Sequence, residues 1–430
     1  MSFWAKLVER VVGGGGAGDG ADEPTSDDPA AHAANAAQSE LQRDVALVAA
    51  AGSAGGPSIE DGLTVLRRLR SSPLQGRALD ELVARHAVLP VPEPIALAIA
   101  HSLVDRGEPA TALRMVASAT SAHALLLTAD LHAESGDLAS AVATCERVLL
   151  RELDHPGARE RHRRWRAALG LAADPDARRP DAATATVVTS EPDAPYVLLR
   201  EVGRGGAGAV YEAEDRELGR RVALKVYHDP SRNSAQLTHE AHVAAALAGP
   251  GVLRVFDIDP AHGWLALDWV AHGSIRDRIR ARDASLLLPL ARWALPLAAT
   301  LARVHAAGWV HLDVKPANVL LAGDGSPLLA DFGTARRAGD PTTSGSFGYI
   351  SPERLAGRPA DPRDDVYGFG RLLEDVLHAL PAAPEAAHSG GGSVAERWYP
   401  LAQACVSAEA TRLADGAQIA TRIRTELMGA

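Results

Sequence analysis

Residues 311–321 read HLDVKPANVLL and set an aspartate, a lysine and an asparagine at offsets that suit group transfer to a hydroxyl. A hydroxyl nucleophile needs an acceptor held ready for its proton, and Asp313 is the candidate. Lys315, two residues on, can neutralise charge on a phosphoryl group in transit. Asn318 offers an amide oxygen of the kind a hard Mg2+ accepts. Further on, LLADFGTARR brings Asp331 as a second oxygen donor. Upstream, VGRGGAGAVYEAED carries Gly203, Gly205 and Gly208 in a G-x-G-x-x-G-x-V frame, with Gly206 inside it. Lacking a Cβ, such glycines let backbone N–H groups approach phosphates. That frame alone is a weak signal in a chain with 39 glycines. A turn aspartate or a turn asparagine is equally ordinary alone; it is the order and spacing of the set that stands out.

Residue usage sharpens this. The chain has 44 Lys plus Arg, yet only three are lysines, Lys6, Lys225 and Lys315. Asparagine is as scarce, at Asn35, Asn233 and Asn318. A sequence that writes arginine almost everywhere keeps lysine where a compact ammonium is wanted.

The flanking sequence shows what must position these groups. After the glycines, Val210 and Tyr211 lead into a strand, a turn at DRELGR and a second strand, RVALKVY, that carries Lys225. A dinucleotide fold would instead place a helix directly after the glycines. QLTHEAHVAAALA then reads as an apolar-faced helix presenting Glu240, the carboxylate a buried lysine needs. Residues 171–195 are rich in Pro, Asp, Ala and Thr without period and read as a linker ahead of a domain at 196–428.

Residues 58–170 read as all-helical, opening with Ser58 and Asp61 in a capping-box spacing. Two stretches, 98–116 and 127–145, match at a period of 29, pairing Gly107 with Gly136, Ala110 with Ala139 and Ala112 with Ala141. Each reads as helix, glycine turn, helix. The second unit, closed by Pro156, resembles a tetratricopeptide repeat; the first is short of that family's period. Such hairpins bind partner proteins or peptides; an ordinary helical bundle is the alternative. Residues 1–12 place Phe3, Trp4, Leu7, Val8 and Val11 at helical spacing, as a docking peptide, a membrane-surface foot or a loose terminus. Residues 13–57 read as a flexible linker with a short helix.

Composition excludes other classes. Hydrophobic residues make up 47% and charged residues 23%, enough for real cores. A net charge of −10 argues against a general nucleic-acid binder. Two distant cysteines, Cys145 and Cys405, form no disulfide framework or metal clip and point to a reducing cytoplasm. The N-terminus lacks the continuous apolar core of a secretory signal. The longest apolar tract, 286–304, is broken by Arg292 and Arg303, so a buried helix is expected there rather than a transmembrane segment.

From Tyr196 onward the chain resembles the eukaryotic-like Ser/Thr protein kinases of bacteria, through its glycine loop, VALK, the helix glutamate, HLDVKPAN, DFG, GSFGYISPE and DDVYGFG. The resemblance implies an α+β bilobal protein kinase fold, preceded here by an all-α helical-hairpin domain. It implies ATP between the lobes, with Mg2+ or Mn2+, and phosphorylation of Ser or Thr on protein substrates. ATP would meet Gly203, Gly205, Gly206, Gly208, Val210, Ala223 and Lys225, with Asp268 and Val270 of ALDWV as the hinge and Leu267 as gatekeeper. Asp313, Lys315, Lys225 and Glu240 would be catalytic, and Asn318 and Asp331 would hold metal. His311, Phe332 and Gly333 would shape the site, Glu353 would pair with Arg412, and Asp365 would anchor the catalytic loop.

Two departures matter. Leu312 stands where many family members carry an arginine that receives an activation-loop phosphate, so activity is expected not to need that phosphate. Thr342, Thr343, Ser344 and Ser346 remain available, with Arg336 and Arg337 as substitute receptors. After LLEDVLHALP, the stretch AAPEAAHSGGGSVAERW replaces a helix that docks substrates in the family. The helical repeats are therefore expected to take part in substrate or partner selection. A pseudokinase scaffold and a small-molecule phosphotransferase are the alternatives. The full set of motif residues disfavours the first, and GSFGYISPE with Arg412 disfavours the second.

Overall fold

The computed structural model describes residues 29–171 and 195–428, apart from 54, 153–154, 156, 205–207, 284, 286 and 381–392. The helix expected over 1–12, most of the 171–195 linker, Pro156, Gly205 and Gly206 therefore lie outside the described residues. The chain divides into two compact units, Met1–Met115 and Val116–Ala430.

The first unit holds five described helices: α1 (Pro29–Ala50), α2 (Ile59–Arg70), α3 (Gln75–Val88), α4 (Glu93–Asp105) and α5 (Pro109–Met115). Within 13–57, α1 is longer than the short helix expected, at 22 residues. Alanine favours it, and Leu41, Val45 and Val48, spaced for one helical face, are buried. The box between Ser58 and Asp61 forms, each side chain meeting the other's backbone N–H. A Cβ on Gly62 would lie 2.8 Å from Ala51 and 2.9 Å from Ile95, so glycine lets α2 sit close to its neighbours.

The second unit begins with α6 (Ala122–Glu134), α7 (Leu138–Arg151) and α8 (Ala158–Ala168). Gly136, at φ +84°, turns α6 into α7 in a conformation that suits only glycine well. Gly107, its counterpart at the 29-residue period, has φ +78° between α4 and α5. Ala129, Ala141 and Val142 are buried where α6 meets α7, and Cys145, Val148 and Trp165 continue that core.

A five-stranded antiparallel sheet follows, in the order β1-β2-β3-β5-β4. Its strands are β1 (Tyr196–Arg204), β2 (Gly208–Asp215), β3 (Arg220–Tyr227), β4 (Val255–Asp259) and β5 (Trp264–Asp268). Helix α9 (Pro230–Ala246) joins β3 to β4. The rest is mainly helical, so the α+β bilobal architecture is present. Helices α10 (Ile275–Ala281) and α11 (Ala291–Ala306) come first. In α11, Trp293, Leu297, Leu301 and Val304 are buried, as the apolar tract required. Then α12 (Pro352–Leu355), α13 (Pro362–Ala379), α14 (Val394–Val406) and α15 (Gly416–Arg422) complete the lobe. Its core joins α11 to Phe369, Leu372, Leu373 and Val376 of α13, Leu401 of α14 and Ile419 of α15. Among the described residues no helix is long and apolar enough to cross a membrane.

Candidate active site

Lys225 lies on β3 with its neighbours fixed by register, Val210 on one side and Leu265 on the other. Strand alternation turns it the same way as Tyr227, two residues on. Its Nζ donates to Glu240 Oε2 at 2.8 Å and Oε1 at 3.0 Å, and to Asp331 Oδ1 at 2.9 Å. Glu240 is buried on α9 and also accepts from the Tyr227 hydroxyl. Burial opposes the charge on Lys225, but Asp331 and Glu240 hold its pKa well above the usual lysine range. Desolvation likewise works against a charged Asp331, yet the Lys225 ammonium brings its carboxyl down to about 2. Both groups are therefore charged at neutral pH.

Residues 311–318 form a loop between β6 (Trp309–Val310) and β7 (Val319–Leu321); β7 pairs with β8 (Pro327–Leu329), and β6 with β9 (Arg336–Arg337). Asp365 on α13 secures the loop's start, accepting the N–H groups of His311 and Leu312, each at 2.7 Å. His305 adds a third bond at 3.0 Å. Burial would raise the Asp365 pKa, but His305 and His311 outweigh it and the pKa is lowered. His311 sits edge-on to Phe332 with ring centroids 4.7 Å apart and reaches the Ala330 carbonyl at 3.0 Å. Gly333 lies against Glu240, where a Cβ would come within 3.3 Å of Oε2.

Asp313 is buried, and its Oδ2 is held from two sides. Lys315 Nζ donates to it at 2.7 Å and Asn318 Nδ2 at 2.9 Å. Its Oδ1 is buried with no hydrogen-bond partner. Lys315 also donates to the Ser346 hydroxyl, which ties the loop of 345–353 to residues 311–318. Asn318 spends its amide N–H groups on Asp313, which leaves its side-chain oxygen for another ligand. Its backbone carbonyl accepts from Ala330, bringing it alongside Asp331. Among the described residues no cluster of three His, Cys, Asp or Glu side chains could enclose a metal. One amide oxygen and one carboxylate, with the remaining positions open to water and phosphate, is the donor set that Mg2+ favours.

The remaining expected residues fall around this centre. Gly203 lies near the end of β1, opposite Val210. Gly208 opens β2 so close to β3 that a Cβ would stand 2.2 Å from the Val226 carbonyl oxygen. Ala223 pairs with the half-buried Leu267 at the end of the sheet. Asp268 ends β5 with its N–H on the Arg254 carbonyl, and Val270 follows with its carbonyl on the Gly273 N–H. Glu353 and Arg412 form a two-point pair at 2.9 and 3.2 Å. Leu312 has φ +69° and its side chain is buried against Val310 and Ala360, so position 312 supplies no cation itself; its carbonyl accepts from the buried Arg354 at 3.1 Å. Arg337 lies over the Trp309 ring at 4.1 Å and donates to the Ala307 carbonyl, while Arg336 reaches the Ala335 carbonyl and His239.

Sequence reasoning missed Tyr227, Ser346 as the partner of Lys315, and His305. Only Tyr227 carried a signal, its period-2 spacing from Lys225.

Residues 196–397 match the protein kinase domain family. The serine/threonine-protein kinase PknD of Mycobacterium tuberculosis is 35% identical over 199 residues, covering 44% of this chain and 30% of that protein. PknL of the same species is 34% identical over 197 residues, 43% of this chain and 49% of that protein. PknJ of Mycobacterium bovis is 38% identical over 212 residues, 45% of this chain and 35% of that protein. The chain thus spans a third to a half of the length of these curated relatives. Held together by the paired Lys225, Glu240 and Asp331 and by the braced Asp313 loop, residues 196–397 form a protein kinase domain, similar in sequence to those of bacterial serine/threonine-protein kinases.

Proposed function

We propose that this protein transfers the γ-phosphoryl group of ATP, with Mg2+ or Mn2+, to Ser or Thr hydroxyls of protein substrates. The observation that carries this is Asp313, whose Oδ2 is pinned by Lys315 and Asn318 while Oδ1 stays buried and unpartnered. That free oxygen can accept the hydroxyl proton as the hydroxyl attacks phosphorus. The P–O bond to ADP breaks as the bond to the substrate oxygen forms. Lys315 offsets charge on the transferring group, and Lys225, oriented by Glu240, holds the nucleotide phosphates under the glycine loop. Asn318 and Asp331 would hold the metal, which neutralises phosphate charge. Catalysis on this reading is positioning and charge neutralisation.

The helical stretch 58–170 would serve partner or substrate selection, and the kinase region at 196–428 phosphoryl transfer. A cytoplasmic setting suits its two cysteines, both free and buried. The scaffold alternative has no supporting feature, since each motif side chain that is described is present and engaged. Incubation with labelled ATP and Mg2+ tests the reading: label on Ser or Thr of an acceptor protein is expected from the wild type.

A further inference from the structure

The loop 345–353, which on the kinase reading meets the protein substrate, is held by residues outside the matched domain. Glu146 on α7 is fully buried, and its Oε2 accepts the Gly348 N–H at 2.8 Å. Its Oε1 meets His162 Nε2 at 3.1 Å and Arg166 Nη1 at 3.3 Å, both from α8. A buried carboxylate is costly unless fully partnered, and one of its partners here is the loop backbone. The carbonyl of the same Gly348 accepts from Arg371 Nε on α13 at 3.2 Å. Arg371 pairs with the buried Glu374, and Glu374 accepts from Arg147, the residue after Glu146, at 3.0 Å. A closed ring results: Gly348 N–H, Glu146, Arg147, Glu374, Arg371, Gly348 C=O.

Packing fits the ring. Gly348 has φ +77°, and a Cβ there would fall 2.1 Å from Leu150 Cδ1, so α7 needs glycine at that point of the loop. Phe347 stands edge-on to His162 at 5.3 Å, and Phe347, Ile350 and Leu355 join the core of α6–α8. Two residues before Gly348, Ser346 meets Lys315 and so communicates with Asp313.

We infer that α6–α8 form a working part of the substrate platform, with Glu146 as a positioning residue that sets the loop for the protein substrate. This rests on the kinase reading.

The test uses the full chain and three proteins: wild type, Glu146→Ala and Glu146→Gln. Kinetics are measured with a Ser-containing peptide chosen from a degenerate library. Glu146→Ala should raise KM for peptide about tenfold or more, leave KM for ATP unchanged, and be largely rescued by Glu146→Gln, which keeps an acceptor oxygen. Amide exchange of 346–351 reads the brace without catalysis: faster exchange at Gly348 in Glu146→Ala, restored in Glu146→Gln. A wild-type chain without kinase activity that still shows this exchange pattern would defeat the kinase reading and leave the brace standing. Unchanged peptide KM in Glu146→Ala, unchanged exchange at Gly348, or a parallel rise in both KM values overturns the inference.

Discussion

The cluster of Lys225, Glu240 and Asp331 and the loop around Gly348 are secured by different means. Lys225, Glu240 and Asp331 hold one another through charge, and all three lie inside the matched domain. The loop around Gly348 is held through its backbone, its N–H on the Glu146 carboxylate of α7 and its carbonyl on Arg371 of α13, with apolar packing from α6–α8, which precede that domain. The difference teaches where each property is encoded. On the kinase reading the chemistry would sit in a compact set of motifs, while the surface proposed to read a protein substrate would depend on helices that precede the matched domain.

The largest effect should come from the charged cluster. Lys225→Ala or Asp331→Ala should lower phosphoryl transfer by roughly two decades or more, with an unchanged circular-dichroism spectrum. Next, Arg412→Ala should strand Glu353 and cost about 2–3 kcal/mol of stability, read by denaturant melts. This variant sharpens the comparison, because it loosens the loop from the C-terminal side and leaves the nucleotide-side charges intact. A smaller, pH-dependent effect is expected at Asp364, where burial raises the carboxyl to about 6. A carboxyl raised in the folded state costs stability above that value, and the cost is relieved as pH falls from about 6 towards 4. Asp364→Asn should therefore gain at most about 2 kcal/mol relative to wild type at pH 7.5, and less at pH 5. The smallest effect concerns Leu312. With an apolar, buried side chain in place of a phosphate receptor, phosphatase treatment should change activity less than about twofold. A large loss would place regulation on Arg336 or Arg337.

The sequence made the cluster legible because its parts sit in short motifs whose spacing is set by strand and helix periods. Lys225 and Tyr227 share a strand face, and residues 311–318 form one loop. The repeat was legible too, since Gly107 and Gly136 both need a left-handed backbone. Glu146 and Arg147 carried no such signal. They read as ordinary charged helix residues, and their partners lie 202 and 227 residues away. Nor did the 29-residue period announce that the compact units divide after Met115, at the end of its first copy. Periodicity reports which face of a helix is buried; the partner against which it packs is a tertiary fact.

The most direct measurement is mass spectrometry of the full chain after incubation with ATP and Mg2+, beside Asp313→Ala. Phosphoserine or phosphothreonine on the wild type and none on Asp313→Ala is the predicted result. Equal phosphorylation of the two, or none on the wild type with an added acceptor protein also unmodified, would contradict the account.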